Sequence, residues 1–256
     1  GVGSLAIDQD GYLHVTYGPH HGDLVHAWSD QPCDASSFST QVVNAGSYDV
    51  TYSSLVVDTQ GELHLLYRGR DGDWSLVYQR TVGGVWDPPQ EIIAPNWGGY
   101  HRYIGSLAAG ADGSIHLAFG IYSEDMQLVP GLDDVGYAWG YMRTYDGGTS
   151  WELADGTAVF PPIAGLNPTP AGAFVQQDVN NLDLRFGNVV LDDQGSPWTT
   201  VNHWNALDVE LWHETGGTWQ SQSLAAEITA PHRPVGSTVS FDAQGVMYVL
   251  LEVIDP

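Results

Sequence analysis

Seven arginines and no lysine stand against 31 acidic residues in this 256-residue chain, and the few cations are not scattered. Arg68, Arg70, Arg102 and Arg233 fall in short polar stretches, as do His20, His21, His101, His203 and His232. The stretches are 18–23 (GPHHGD), 47–52 (SYDVTY), 68–74 (RGRDGDW), 97–103 (WGGYHRY), 202–208 (NHWNALD) and 230–235 (APHRPV), and Arg185 stands near the end of a longer insert. Guanidinium groups match carboxylates in a bidentate way, and imidazoles or phenols can move a proton. Such a set can build a site for an anion. Tyr100, Tyr103, Trp97 and Trp204 add flat rings suited equally to stacking on sugars and to packing between sheets.

The elements that must position these residues repeat. SLAIDQDGYLHVTYG from Ser4, SLVVDTQGELHLLYR from Ser54, SLAAGADGSIHLAFG from Ser106, NVVLDDQGSPWTTVN from Asn188 and STVSFDAQGVMYVLL from Ser237 each read as a β-hairpin turning on a glycine. The turn glycines are Gly11, Gly61, Gly113, Gly195 and Gly245. A period near 50 residues with several short strands per unit points to an all-β fold, a β-propeller of four-stranded antiparallel blades. About five units fit in one propeller domain over 1–256, the fifth stopping after two strands. Four and a half blades leave strand edges open, so the expectation is part of a larger propeller, with an N-terminus that reads as mature or truncated.

Third and fourth strands are expected at 24–29 and 38–43, 75–80 and 85–93, 136–144 and 151–160, and 209–214 and 218–224. Strand alternation then sorts the connections onto two faces. Short acidic hairpin turns and the Gly-Gly-Trp turns lie on one; the arginine- and histidine-bearing loops lie on the other. The third unit carries extra chain at 121–135 and 161–187, and long loops on a rigid scaffold often carry function. His14, His64 and His116 share their register with Trp198 and Tyr248, which favours blade packing over catalysis.

Composition narrows the partners. A formal charge of −24 argues against nucleic acid, and no apolar run is long enough to span a membrane. Excess aspartate without lysine fits a secreted or cell-surface protein of a marine or otherwise salty habitat, where screening tames self-repulsion. One cysteine, Cys33, permits no internal disulfide. No cofactor is required by any motif; loop aspartates, or His101 with His116, leave room for a structural calcium or zinc ion, without diagnostic spacing. The oligomeric state is open.

GYLHVTYGPHHGDL, TYSSLVV…LLYRGRDG, YHRYIGSLAAGADGSIHLAF and the Asp-box-like TYDGGTSW together resemble the BNR-repeat propellers that include the ulvan-type polysaccharide lyases. The likeness covers most of the first three units. It implies a place in a seven-bladed propeller that cleaves an acidic polysaccharide by β-elimination, using a histidine, a tyrosine and an arginine. The matching positions are His21 or His20, Tyr52 and Arg68. The family sets a second histidine one strand before the first repeat, ahead of Gly1. In the Asp-box, Asp146 is expected to bind turn backbone and Trp151 to pack between blades, neither with a chemical role.

The chemistry also follows from the substrate. A uronate carries an acidified C5 proton beside its carboxylate and a leaving oxygen at C4. An arginine must neutralise the carboxylate before the proton can go, a role for Arg68 with Arg70 or Arg102. Tyr52, or a histidine, can serve as base or acid. Arg70, Tyr100, His101, Arg102, Tyr103, His203, Trp204 and Arg233 are the candidate substrate-binding residues for an anionic polysaccharide. A non-catalytic carbohydrate-binding propeller is the alternative; a sialidase-like hydrolase ranks lower for want of a carboxylate pair on the loop face.

Overall fold

Four of the five repeat turns begin on an aspartate: Asp8, Asp58, Asp192 and Asp242. Its Oδ1 accepts the backbone N–H groups two and four residues on, at 2.8–3.0 Å. The turn glycine then takes a φ of +75° to +86°, a left-handed conformation that side chains disfavour. The aspartate's second oxygen faces the ring six residues further on: His14 (3.3 Å), His64 (3.1 Å), Trp198 (3.0 Å) or Tyr248 (3.1 Å). In the third repeat Gly110 replaces the aspartate, and His116 Nε2 meets Ser114 Oγ at 2.8 Å. These rings therefore brace turns, as their shared register implied.

In a computed structural model, residues 3–18, 22–44, 50–69, 74–95, 101–123, 135–166, 168–178, 183–228 and 232–254 are described, with 44, 101–103 and 123 as backbone only. They form a β-propeller arc without an α-helix. Blade 1 runs Ser4–Ile7, Leu13–Tyr17, Leu24–Ser29 and Phe38–Asn44 in sequence order. Blade 2 has Thr51–Val57, Leu63–Gly69 and Ser75–Val82, and blade 3 has His101–Ala109, Ile115–Ser123 and Val135–Thr144. Blade 4 comprises Leu184–Leu191, Pro197–His203, Asp208–Thr215 and Thr218–Ser223; blade 5 is the pair Arg233–Phe241 and Met247–Ile254.

Two expected fourth strands are broken. In blade 2 the span 85–93 becomes Val85–Trp86 and Gln90–Ala94, divided by Asp87-Pro88-Pro89, where two prolines have no N–H to give a ladder. In blade 3 the span 151–160 becomes Trp151–Glu152 and Ala158–Val159 around a turn closed by Gly156 N–H to Leu153 O at 3.0 Å. The rest of that blade's edge is supplied by Phe174–Gln177 from the insert, while Ile163–Ala164 pairs in parallel with the outer strand of blade 2. Part of the extra chain thus stitches two blades together instead of lining a site.

The first strands stand side by side at the inner edge, and one hydrogen bond recurs between them. Leu55 N–H donates to Ser4 Oγ (2.9 Å), Leu107 to Ser54 (3.0 Å), Val189 to Ser106 (3.2 Å) and Val239 to Asn188 Oδ1 (2.9 Å). The donor's side chain is buried by the preceding blade in each case: 3% exposed for Leu55, 5% for Leu107, 2% for Val189 and 1% for Val239. Leu5, at the same register in blade 1, is 60% exposed. Gly136 lets blades 3 and 4 close in; a Cβ there would meet Leu184 O at 1.7 Å.

The Asp-box behaves as expected. Asp146 Oδ1 accepts Ser150 N–H at 2.8 Å, and Trp151 packs edge-on against Tyr78 of the neighbouring blade at 5.2 Å.

Candidate functional site

Antiparallel pairing puts the start of each first strand and the end of each second strand at one end of the blade. Thr51 pairs with Arg68, and Ser54 pairs with Leu66, so Tyr52 and Ser53 together face Tyr67 across a bulge. Tyr52 takes a φ of +55°, unusual for an aromatic residue and worth about 1–3 kcal/mol of strain. The bulge brings the Tyr52 ring to 5.4 Å from the Arg68 guanidinium carbon. Trp74, entering the third strand, lies 3.9 Å over the same guanidinium. Arg68 is fully buried, at 0% exposure, among the aromatic and aliphatic residues of its strand.

A second cluster forms at the same end of blade 4. Arg185 lies 4.8 Å from the Tyr122 ring and 5.4 Å from the Trp204 ring, and its Nη2 pairs with Asp183 Oδ2 at 2.5 Å. Arg233 sits 5.3 Å from Trp204 and donates to its carbonyl at 3.5 Å. His203 is buried with Nε2 3.4 Å from Glu210 Oε2. Asp183, at φ +55°, anchors the cluster: its Oδ1 accepts Gly136 N–H (2.6 Å), and its carbonyl accepts Trp204 N–H (3.1 Å).

Among the candidates, Tyr52 and Arg68 come together, and Trp204 joins Arg233 with His203 adjacent in chain. His20, His21, Arg70 and Tyr100 lie outside the described residues. His101, Arg102 and Tyr103 open the first strand of blade 3, paired with Ser123, Tyr122 and Ile121, and their side chains are not described. Trp74, Tyr122, Asp183 and Glu210 were not singled out in sequence as site residues. Trp74 had a signal, since it ends the same arginine-bearing stretch as Arg68.

The two other arginines with described side chains are on the opposite, turn face. Arg80 Nε lies 3.5 Å from Asp87 and its Nη1 donates to Asp146 O at 3.1 Å; Arg143 Nε pairs with Glu152 at 2.8 Å, with Tyr145 also 5.5 Å away. That face also holds three buried histidines, His26, His64 and His116. Burial, with His14 beside it, holds His26 at about 4; burial, with Arg143 nearby, holds His116 at about 4. Both ring nitrogens of His116 are engaged, by Ser114 and by Tyr141 at 2.6 Å, so it has no lone pair to spare for an ion. Among the described residues no group of three His, Cys, Asp or Glu side chains is arranged to hold a metal.

The model of the BNR repeat-containing family matches residues 1–226. The chain belongs to that family. Several solved structures share the fold. An ulvan lyase of polysaccharide lyase family PL25, solved with -[GlcA(1-4)Rha3S]- bound, aligns with a TM-score of 0.70 at 16% identity, over 91% of this chain and 60% of that one. A Hadza microbial sialidase aligns at 0.60 and 12% identity, over 97% and 52% of the two chains. The polysaccharide lyase Uly1 aligns at 0.56 and 12%, over 98% and 67%. The chain therefore spans about 60% of the ulvan lyase's length. Identities this low establish a polysaccharide-lyase-like fold, and chemistry must be argued from the site. No curated protein matches the chain at the level of sequence.

Proposed function

We propose that this BNR propeller acts on an acidic, uronate-containing polysaccharide of the ulvan type by β-elimination. The observation that carries the reading is the Tyr52–Arg68 pair: a phenol held on a strained bulge against a buried guanidinium, at the arginine-bearing end of the blades. The fold shared with polysaccharide lyases supports it.

In this reading Arg68 neutralises the uronate carboxylate, which lowers the barrier to removing the C5 proton. A base takes that proton, the freed electron pair forms the C4–C5 double bond, and the bond from C4 to the glycosidic oxygen breaks. An acid protonates the departing oxygen. Tyr52 takes one of these proton-transfer roles and His20 or His21 the other. Arg70 or Arg102 is the candidate to share the carboxylate with Arg68, and Tyr100 a candidate to stack on a sugar ring. A carboxylate reaches Arg68 only when the Trp74 indole swings off the guanidinium it covers.

That cover favours a second reading, a propeller that binds the polymer without cleaving it. Ulvan or a related uronate polymer separates the two. The lyase reading expects ultraviolet absorbance from the unsaturated product, and a loss of about 10²-fold or more in Tyr52→Phe. Unchanged activity in that variant removes Tyr52 from the mechanism. Binding without any product selects the second reading.

A further inference from the structure

We propose that Arg185, Trp204 and Arg233 form a second anion subsite, one that takes a charged substituent, a sulfate ester or a carboxylate, on a sugar other than the one held at Arg68. The proposal rests on the reading of the substrate as an anionic polysaccharide.

Two guanidinium groups converge on a single indole, at 5.4 Å and 5.3 Å. Like charges in a protein with seven cations are gathered at one ring only if something holds them there. An indole does so without neutralising either charge. Asp183 pairs with Arg185, whereas Arg233 has no carboxylate partner among the described residues. Arg185 Nε is buried and has no hydrogen-bond partner among the described residues, leaving a donor for an incoming oxygen. The anchoring is rigid: Asp183 fixes Arg185 through its carboxylate and Trp204 through its carbonyl, while Asp178 Oδ2 accepts the Asp183 N–H at 2.8 Å. Beside Arg185 lies a small, mostly apolar cleft of about 40 Å³ walled by Ile104, Gly120, Ile121, Leu184 and Phe186.

The two clusters belong to blades 2 and 4, and the first strand of blade 3, which Arg102 enters, packs against the first strands of both. A polymer that engages both must run across three blades. The subsite therefore recognises charge spacing along the chain, and Arg185 and Arg233 set specificity without touching the reacting sugar.

Calorimetric titration of oligosaccharides from a sulfated uronate polymer, native and chemically desulfated, tests this on the wild-type chain and on the Arg185→Gln/Arg233→Gln double variant. Affinity is expected to fall about tenfold or more. A fall confined to the native oligosaccharide assigns the subsite to sulfate; a fall with both assigns it to a carboxylate. Wild-type affinity for both ligands in the double variant overturns the proposal. Should the double variant melt early, Arg233→Gln alone carries the same test, since Arg233 meets Trp204 only through its ring and carbonyl. Where product forms, KM rises and kcat holds. Absence of product with intact wild-type binding sinks the lyase reading and leaves this one to be decided by the titration.

Discussion

The two ends of the blades use arginine in opposite ways. On the turn face Arg80 and Arg143 are tied to Asp87 and Glu152 and to backbone carbonyls, which cancels their charge and locks the Asp-box region. On the loop face Arg68 and Arg233 are set against Tyr52, Trp74 and Trp204, while Arg185 faces Tyr122 and Trp204 and is also paired with Asp183. An aromatic ring orients a guanidinium and leaves its charge intact. In a molecule of net charge −24, a cation held by a ring and by no carboxylate, as Arg233 is among the described residues, is one still able to meet an anion. Where a scarce cation is placed matters less than what holds it.

Arg68→Ala should have the largest effect on folding. It removes a side chain with no exposed surface and leaves two rings without their partner. A loss of about 3–4 kcal/mol in urea unfolding is expected. Arg80→Ala, with its side chain 30% exposed, should lose under about 1 kcal/mol. Equal losses would erase the distinction between the faces.

Acid should strike the turn face first. His26 and His116 are held at about 4, against an ordinary value of 6.5. Because the unfolded chain binds these protons more readily, the stability they confer is present above about pH 6.5 and drains as pH falls toward 4. His116 contributes on the order of 3 kcal/mol over that window, and His26, screened more by solvent, contributes less. Asp58 acts in the same direction: hydrogen bonds from His64 and from the Glu62 and Gln60 backbone outweigh burial and hold its carboxyl low. Unfolding midpoints measured from pH 7 to pH 4 should fall steadily, and a flat profile would mean that the buried rings are not kept neutral by the fold.

A smaller effect tests the bond that spaces the blades. Ser54→Ala deletes the acceptor for Leu107 N–H and should cost about 1 kcal/mol. The same change at Thr238, whose register matches Ser54 but which faces Asn188, should cost less. Reversal of that order would show that the recurring hydrogen bond is incidental.

Much of this was legible in the chain. The glycine-closed turns and the alternation of the strands were enough to send Tyr52 and Arg68 to the same end, because both signals are local and periodic. The third strands were placed to within a residue or two for the same reason. What was not legible depends on distant partners. Nothing near Phe174–Gln177 announces that it will complete the edge of blade 3, and nothing near Ile163 points to Ile93. The breaks at Pro88-Pro89 and at Gly156 were written in the sequence, but the apolar residues on either side outvoted them. Arg185 was seen as a cation, whereas its partnership with Trp204 is set by Asp183, whose left-handed backbone has no signature in sequence.

The central claim is that Arg233 on the loop face keeps a charge that Asp87 cancels at Arg80 on the turn face. Titrating a uronate oligosaccharide into Arg80→Gln and Arg233→Gln in parallel tests it most directly, since each removes one cation and neither side chain is deeply buried. The account predicts wild-type affinity for Arg80→Gln and a clear loss for Arg233→Gln. Equal affinities for the two variants would contradict it.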